Sequence, residues 1–339
     1  MKLQGEVTGK MITIAVAGTS KIAKSFIRAA KSCEDIKIDA VYSRSMERAK
    51  VFAADQGIAR CFDDLEALAN DRQIDAVYVA SPNAIHCRQV LLLTGHGKHV
   101  LCEKSLGSNS REVELMFRSA GTNGVILLEA MRSIHDPGYH QLKENLCKLG
   151  EITEAEFWFG RYSSRYDDFK AGKLPNIFNR EYSAGALMDM GVYCVEPMAE
   201  LFGMPPKIHA EAELIRGGID GEGKIFAEYP DKKINLYYSK INDLKRESVI
   251  YGSKGTMVID DIANPEKISI TYSDGRKEII RDAERVELGN MRYEAQFFAD
   301  AVQGKSDVKH YQEVSEITMK IMDEARKICG IVFPADEEK

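Results

Sequence analysis

Long hydrophobic runs, blocks of basic residues, internal repeats and low-complexity segments are all missing from this sequence of 339 residues. Its apolar stretches are only as long as strands, so we expect no transmembrane helix and no membrane partner. A net charge of −6 without a basic block argues against a nucleic-acid partner. Residues 1–10 are polar and lack the apolar core of an export signal, so we expect a cytoplasmic protein.

The cysteines and histidines form no metal-binding motif. None of the seven cysteines belongs to a CxxC pair, and most lie in apolar surroundings, which favours reduced core thiols. His135, His140, His209 and His310 are scattered along the chain without forming a cluster. The sequence therefore predicts no metal site.

Strand-like and helical segments alternate in the first part of the chain. Apolar runs predict strands at 11–17, 38–42, 75–80, 99–102 and 125–128, and helical spacing predicts helices at 21–31, 46–56, 85–94 and 110–120. Strands separated by helices of this length are typical of right-handed βαβ units. We therefore expect a doubly wound parallel sheet in an α/β protein.

The pattern changes after residue 131. Helices are predicted at 135–148, 185–202, 291–302 and 311–329, with a strand at 152–160 and an irregular segment at 161–183. Between 208 and 280, strand-like runs are separated by short turn signals, which indicates an antiparallel meander. Together with a hydrophobic content of 44%, this predicts two globular domains, 1–132 and 133–339.

The turn after the first strand is a degenerate dinucleotide-binding fingerprint. Gly18, Ser20 and Ala23 occupy its three glycine positions. Gly18 would allow the tight turn, Ser20 is small enough for the backbone to approach a pyrophosphate, and Ala23 permits close helix packing. Turns with one glycine and one serine are common, but the position directly after the first strand favours a nucleotide site.

The end of the second strand indicates which nicotinamide cofactor binds. Asp39 has the spacing of a carboxylate that holds the ribose 2′-hydroxyl, but it lies early in the strand. Ser43, Arg44 and Ser45 at the strand end offer two hydroxyls and a guanidinium, which suit a 2′-phosphate. We therefore expect NADP, with NAD as the alternative. In the simpler interpretation, Arg44 and Arg48 are solvated residues at a helix start.

Two further strand ends carry polar residues. Glu103 and Lys104 end an apolar run, and Ser81-Pro82-Asn83 forms a turn after an earlier buried strand. Open α/β sheets bind ligands at the carboxyl ends of parallel strands. A partly desolvated lysine there can have a lowered pKa and move protons. The alternative for this pair is a solvated loop.

Asp189 and Tyr193 lie four residues apart in a predicted helix, so both side chains fall on one face. Hydride transfer between a carbinol and nicotinamide needs a group that accepts or donates the hydroxyl proton. Tyr193 can do so if Lys104 stabilises its phenolate, and Lys104 can also bond the substrate oxygen. Asp189 would orient the substrate or tune Lys104. The alternative is a helix-start carboxylate beside a core tyrosine.

These segments together resemble the Gfo/Idh/MocA oxidoreductase family, the glucose–fructose oxidoreductase-like group. The matches run in the family's order over almost the whole chain, at 18–23, 43–45, 80–83 with His86, 97–104 and 185–193. The resemblance implies a Rossmann domain at 1–132. It also implies a substrate-binding and dimerisation α/β domain at 133–339, with a large, mostly antiparallel open sheet.

The resemblance further implies the site residues. Lys104, Asp189 and Tyr193 would be catalytic. The cofactor-binding residues would be Gly18, Thr19, Ser20, Lys21, Ile22, Ser43, Arg44, Ser45, Ser81, Pro82, Asn83, His86, Glu103 and Lys104. For His86, a helix-start residue without any contact to the cofactor is an equal alternative.

Three positions depart from the family pattern. Ser20 stands where a second glycine is usual, and Ser105 follows Lys104 where the family normally has proline. Tyr193 replaces the histidine of many members, as it does in the dihydrodiol dehydrogenase and glucose–fructose oxidoreductase branches. The chain most resembles that branch, and Ser105 leaves the backbone shape at this strand exit open.

Arginines and aromatic residues in and beside the irregular segment are candidates for binding a polyhydroxylated or anionic ring, because loops on a rigid scaffold often carry specificity. A solvated loop residue is the alternative for each one. The candidates are Arg132, Arg161, Tyr162, Arg165, Phe178 and Asn179.

We therefore expect an NAD(P)-dependent dehydrogenase or reductase acting on a CH–OH/C=O centre of a sugar, cyclic polyol or dihydrodiol. Two other classes stay open: a non-catalytic nucleotide- or sugar-sensing regulator, and an NAD-dependent glycosidase. The joint presence of Lys104, Asp189 and Tyr193 argues against a regulator. We also expect a homodimer or homotetramer, because an open sheet face needs to be covered.

Overall fold

The computed structural model describes residues 11–284 and 289–337. The strands in these ranges are β1 Ile12–Ala17, β2 Ile36–Tyr42, β3 Arg60–Phe62, β4 Ala76–Val79, β5 His99–Glu103, β6 Leu127–Ala130, β7 Ile152–Gly160, β8 Lys207–Ile215, β9 Ile219–Glu228, β10 Lys233–Ser239, β11 Ser248–Gly252, β12 Gly255–Ile259, β13 Lys267–Tyr272 and β14 Lys277–Asp282.

The helices connect and cover these strands. They are α1 Lys21–Ala30, α2 Met46–Gln56, α3 Leu65–Ala69, α4 Asn83–Gly95, α5 Ser110–Thr122, α6 Pro137–Asn145, α7 Tyr166–Lys170, α8 Val192–Phe202, α9 Met291–Val302, α10 Lys309–Cys329 and α11 Pro334–Glu337. Short 3₁₀ segments occupy Leu146–Leu149, Asn176–Phe178 and Arg180–Tyr182, and a π-helical turn occupies Leu187–Gly191.

The first sheet has six parallel strands in the order β3-β2-β1-β4-β5-β6. Strands β4 and β6 are buried along their whole length, as expected for a parallel sheet covered on both faces. The chain leaves β1 toward one edge and returns through β4 toward the other. This switch point opens a crevice at the carboxyl ends of β1 and β4, where doubly wound folds bind their ligands.

The second sheet has eight strands in the order β14-β13-β12-β11-β7-β10-β9-β8. Its pairs are antiparallel except that β7 and β10 run parallel at the centre. The predicted mostly antiparallel sheet is therefore confirmed, but it is not a simple meander. Buried residues on one face, including Phe157, Ile225 and Leu236, join the core that also contains Cys194 and Val195 of α8.

Helix α9 returns to the first sheet instead of packing on the second. Ala295 and Phe298 are fully buried in one cluster with Phe26 of α1 and Val16 of β1. The predicted boundary at residue 132 stays a prediction. In the structure, the parallel sheet ends at Ala130, but its core is completed by residues far beyond that point.

Several predicted elements differ in detail from those observed. Strand β3 and helix α3 were not predicted, because segments of three and five residues are too short to show a period. The helix predicted at 135–148 begins at Pro137, where the Asp136 carboxylate accepts from the Gly138 N–H at 2.7 Å, and it ends in a 3₁₀ turn. The helix predicted at 185–202 begins with the π-helical turn before α8.

Within residues 11–284 and 289–337, no helix combines the length and apolarity that a membrane span requires.

Candidate active site

The loop after β1 is built for close approach of a ligand to the backbone. Gly18 has a φ of +141°, and a Cβ atom there would lie 2.6 Å from the Ala80 carbonyl oxygen. Glycine avoids both the strain and this clash. Ser20 accepts a hydrogen bond from the Ala23 N–H at 3.3 Å and so caps α1. The helix start is thereby fixed at the crevice, as a pyrophosphate site requires.

A cavity of about 540 Å³ extends from this loop past the end of β2 to α4. Gly18, Thr19, Ser20, Ser81 and Pro82 line it, as predicted for the cofactor site. The predicted 2′-phosphate residues line its wall as well, together with two further arginines. This group consists of Ser43, Arg44, Ser45, Arg48 and Arg88. All three arginines are exposed, so the group fits a bound phosphate.

Asp39 is engaged elsewhere. Its carboxylate oxygens lie 2.7 Å from Lys37 Nζ and 2.7 Å from Arg60 Nη1. Burial opposes the charge, but the two cations outweigh it and hold the pKa of Asp39 below its ordinary value. None of the described residues that line the 540 Å³ cavity is acidic, so nothing there would repel a 2′-phosphate.

A second cavity of about 280 Å³ adjoins the first, and residues that follow strands of both sheets line it. Both cavities share Ser20, Ala80, Ser81, Pro82 and Asn176 in their walls. The second cavity is lined by Ser20, Ile22, Ala80, Ser81, Pro82, Asn83, Lys104, Asn176, Ile177, Tyr182, Ala184, Met188, Asp189 and Lys240. A nicotinamide end and its substrate would therefore meet beside Lys104.

Lys104 and Asp189 form the central ion pair of this cavity. The Lys104 ammonium donates to the Asp189 carboxylate oxygen Oδ1 and to the Asp189 carbonyl oxygen, both at 2.7 Å. The lysine side chain is only 12% exposed. An ammonium has three N–H donors, so one remains for a substrate oxygen.

The charges of this pair are mutually stabilised. Burial opposes the charge on Lys104, but Asp189 and Tyr193 outweigh it and hold the pKa of Lys104 above its ordinary value. Burial likewise opposes the charge on Asp189, but Lys104 and Lys240 hold the pKa of Asp189 well below its ordinary value. The expected lowering of the Lys104 pKa is therefore wrong, because desolvation is outweighed by a directly bonded carboxylate. Lys104 stays charged and acts as a hydrogen-bond donor.

The π-helical turn positions Asp189 at the cavity wall. The start of this turn is fixed by Asp220, whose carboxylate accepts from the Ala186 N–H at 3.1 Å and from the Leu187 N–H at 2.6 Å. Gly185 lies directly against this carboxylate, since a Cβ atom there would be 2.1 Å from Asp220 Oδ1. Asp189 is thus part of a π-helical turn, a feature that is frequent at functional sites.

Tyr193 lies at the start of α8, beside Lys104. The ring centroid is 4.9 Å from Lys104 Nζ and 5.4 Å from Arg132 Cζ, and the side chain is 7% exposed. Attraction to Tyr193 outweighs burial and holds the pKa of Arg132 above its ordinary value. Two cationic side chains therefore flank the Tyr193 ring. Of the predicted substrate-binding residues, Arg132 is the one that reaches this centre.

His86, Glu103 and Ser105 are buried supports of the site. His86 Nε2 lies 2.8 Å from the Ser81 carbonyl oxygen, and His86 Nδ1 lies 3.1 Å from that of Ser105. Burial lowers the pKa of His86, and a neutral ring can donate to only one of these two carbonyl oxygens. Ser105 follows a cis peptide bond and donates to the Met188 carbonyl oxygen at 2.8 Å. Glu103 accepts a hydrogen bond from the Tyr78 hydroxyl.

Several other candidates have their side chains away from both cavities. Lys21 lines a separate surface depression next to α2. Arg161 pairs with Asp261 at 2.9 Å, and the Tyr162 hydroxyl donates to Asp167 at 2.7 Å. Phe178 is fully buried in a small apolar cluster, and Asn179 accepts from the Glu181 N–H at 3.0 Å. Arg165 pairs with Asp168 at 3.6 Å.

The irregular segment does reach the cavity, but through other residues. Asn176, Ile177 and Tyr182 line it, and none of them was predicted from the sequence. The segment has no periodicity that assigns its side chains to a face. Lys240, which follows β10, was missed as well. Its position at a strand end is the one signal that could have found it.

Four buried glutamates lie near one another and act on each other's charge. Burial is the main cause that raises the pKa of Glu103, Glu129, Glu196 and Glu294. Glu129, at the end of β6, has its pKa raised to about 7, and its Oε1 accepts from the Leu106 N–H at 2.9 Å. This group is therefore protonated over part of the neutral pH range.

The histidines, cysteines and acidic residues of the described chain include no group of three or more that could hold a metal ion.

The fold and this site define a class of protein. Residues 12–131 match the family model described as "Oxidoreductase family, NAD-binding Rossmann fold", and residues 145–258 match the "GFO/IDH/MocA C-terminal domain". The chain belongs to the Gfo/Idh/MocA oxidoreductase family, as the sequence motifs predict. It is an oxidoreductase with a nicotinamide-binding Rossmann domain, so the predicted enzyme class and nicotinamide cofactor are confirmed.

Individual relatives align over nearly the whole chain. The scyllo-inositol 2-dehydrogenase (NADP(+)) IolU of Bacillus subtilis is 43% identical over 329 residues, which covers 96% of this chain and 100% of that protein. A trans-1,2-dihydrobenzene-1,2-diol dehydrogenase of Mus musculus is 30% identical over 89% of this chain and 91% of its own length.

A solved structure shares the fold at lower identity. KijD10, a 3-ketoreductase from Actinomadura kijaniata in complex with NADP and TDP-benzene, superposes with a TM-score of 0.83. It is 22% identical and covers 94% of this chain and 98% of its own. The predicted two-sheet fold is therefore confirmed.

We predict that Glu129→Gln flattens the pH dependence of stability between about pH 4.5 and 7. The pKa of Glu129 rises from 4.5 to about 7 on folding, so the native state holds a proton that the unfolded state loses. The extra proton increases the free energy of unfolding. This stabilisation is fully present below pH 4.5 and is lost as the pH rises through 7, at no more than about 1.4 kcal/mol per pH unit.

Urea unfolding of the wild type and of Glu129→Gln at pH 5 and pH 8 measures the difference. Glutamine keeps the acceptor for the Leu106 N–H but does not titrate. Glu114→Gln, at a side chain that is 65% exposed, is the matched control. Parallel pH dependence in the wild type and Glu129→Gln would contradict the prediction.

Proposed function

We propose that this protein oxidises a secondary alcohol of a cyclic polyol with NADP+ and reduces the corresponding ketone with NADPH. The observation that carries the proposal is the Lys104–Asp189 ion pair in the wall of the 280 Å³ cavity, with Tyr193 beside Lys104. The 43% identity to a scyllo-inositol 2-dehydrogenase supports a cyclic polyol as the substrate class.

Tyr193 is the proposed acid–base group, and Lys104 is the proposed hydrogen-bond donor to the reacting oxygen. In oxidation, Tyr193 acts in its phenolate form and takes the O–H proton of the alcohol, while the C–H bond breaks. NADP, when bound, supplies the hydride acceptor or donor. The charges of Lys104 and Arg132 stabilise negative charge on Tyr193 and on the substrate oxygen. Reduction runs in reverse, with Tyr193 donating the proton to the forming alcohol.

The remaining cavity wall suits a substrate with several hydroxyl groups. Asn83, Asn176 and Tyr182 provide uncharged donors and acceptors in the same space as the ion pair. Amide and hydroxyl groups of this kind can donate to and accept from hydroxyls around a ring, whereas an apolar substrate would offer them no hydrogen bond.

The direct test mixes purified protein and NADP+ with a panel of inositols, aldoses and a dihydrodiol, and follows absorbance of NADPH. Turnover of at least one inositol is expected to exceed that of the aldoses. Binding of NADPH without turnover of any compound would instead favour the regulator.

We predict that Arg44→Ala weakens NADPH binding more than NADH binding. Loss of a charged hydrogen bond to the 2′-phosphate should raise the Kd for NADPH roughly 10- to 100-fold. NADH, which lacks this phosphate, should be affected far less. Nucleotide fluorescence titration gives both constants, and Arg118→Ala, at a side chain that is 65% exposed, is the control. Equal losses for both nucleotides would refute the assignment.

We predict that Tyr193→Phe lowers kcat by roughly 10²–10⁴, the usual scale for an acid–base group, with NADPH binding intact. Lys104→Met should lower kcat at least as much. The double variant should be little worse than either single one, because residues that act as a unit are not additive.

Steady-state kinetics with the best polyol, together with NADPH titration, checks these expectations. Near-normal turnover of Tyr193→Phe would make the tyrosine structural and would leave the proton to Lys104 or water.

We also propose a homodimer or homotetramer that covers the open face of the second sheet. Trp158 of β7 and Tyr237 of β10 stack at 3.7 Å on this face, with Phe226 of β9 edge-on to Tyr237 at 6.4 Å. The opposite face already packs on helices. Half-buried aromatic residues on an uncovered sheet face mark an association surface.

We predict that Trp158→Glu converts the oligomer to a monomer, because it removes the stacked indole and places a carboxylate in the apolar contact. Sedimentation at micromolar concentration measures the mass. Leu115→Glu, at an exposed leucine of α5, is the control and should not change it. A monomeric wild-type protein would overturn the proposal.

A further inference from the structure

Lys240 is a fully buried ammonium at the active site. Its side chain is 0% exposed, and its Nζ lies 3.2 Å from Asp189 Oδ2. The same nitrogen donates to the Ile177 carbonyl oxygen at 2.6 Å and lies 4.6 Å from the Phe178 ring centroid. A buried charge needs such partners, because an isolated one is strongly disfavoured.

Asp189 therefore faces two cations with one carboxylate. Lys104 bonds Oδ1 and Lys240 bonds Oδ2. The other carboxyl group near Lys240 is Asp220, whose oxygens accept from the Ala186 and Leu187 N–H groups. That carboxylate is thus turned to the positive end of a helical turn. The Lys104–Asp189–Lys240 cluster carries one positive charge more than an isolated ion pair.

We propose that Lys240 is a positioning residue of the reaction, which shares the Asp189 charge so that Lys104 keeps an uncompensated positive charge at the reacting oxygen. This inference rests on the proposed roles of Lys104 and Tyr193. Without Lys240, Asp189 would pair with Lys104 alone and cancel more of its field. Through Ile177, Lys240 also fixes a residue of the substrate cavity to the same cluster.

The competing explanation is that Lys240 only satisfies the Ile177 carbonyl and fills space. Lys98 provides the matched comparison, because it is 7% exposed and donates to the Asp71 and Ile74 carbonyl oxygens at 2.6 and 2.7 Å. It lines neither of the two cavities at the active site. Lys98→Met thus reports the general effect of deleting a buried lysine.

The test compares Lys240→Met and Lys98→Met with the wild type, and Lys240→Met in the Asp189→Asn background. Lys240→Met should lower kcat roughly 10- to 100-fold, the scale of a lost charged hydrogen bond, and should change KM and NADPH affinity far less. Lys98→Met should leave kcat near the wild-type value. In the Asp189→Asn background, where no negative charge needs sharing, Lys240→Met should have little further effect.

The pH profile provides a readout that packing would not change. Burial lowers the pKa of Lys240, the charges of Asp189 and Asp220 oppose this lowering, and the charge of Lys104 adds to it. Removing Lys240 takes away a cation that favours ionised oxygens in the site. We therefore expect the oxidation rate of Lys240→Met to rise at a higher pH than that of the wild type. Thermal unfolding and NADPH fluorescence titration report folding of each variant, and Lys240→Gln replaces Lys240→Met if the latter does not fold.

Equal losses from Lys240→Met in both backgrounds, with an unmoved pH profile, would overturn this inference while leaving the proposed function intact. If Lys104→Met and Tyr193→Phe retain turnover, the proposed roles of Lys104 and Tyr193 are wrong, whatever the effect of Lys240→Met. The two failures are therefore distinguishable.

Discussion

The Asp189 carboxylate is the contact on which the arrangement of this site depends. It binds Lys104, which follows a strand of the first sheet, at 2.7 Å, and Lys240, which follows a strand of the second sheet, at 3.2 Å. Each lysine is largely removed from water, so neither charge would be stable without the carboxylate. The ion-paired cluster therefore connects the ends of the two sheets in the wall of the 280 Å³ cavity.

Much of the fold follows from local patterns in the sequence. Alternating strands and helices predict the parallel sheet, and the turn chemistry at Gly18 and Ser20 identifies its nucleotide-binding end. Lys104, Asp189 and Tyr193 were found because each lies at a strand end or at helical spacing. What they do together depends on a π-helical turn that no local pattern indicates.

The residues that sequence reasoning missed are those fixed by contacts distant along the chain. Lys240 reaches the site because β10 pairs in parallel with β7 at the centre of the second sheet. Asn176 and Tyr182 lie in an aperiodic segment, where arginines and aromatic residues were the more conspicuous candidates. Arg161 instead pairs with Asp261, because nearby acidic residues compete for exposed guanidinium groups.

The packing of α9 on α1 has a consequence for how the chain can be divided. Residues 291–302 complete the apolar core around Phe26 and Val16, although they follow the entire second sheet. The nucleotide-binding unit is therefore discontinuous in sequence. A fragment ending near residue 132 would leave the surface under Phe298 open to water, so an exchange of halves between family members would have to include α9 with the first half.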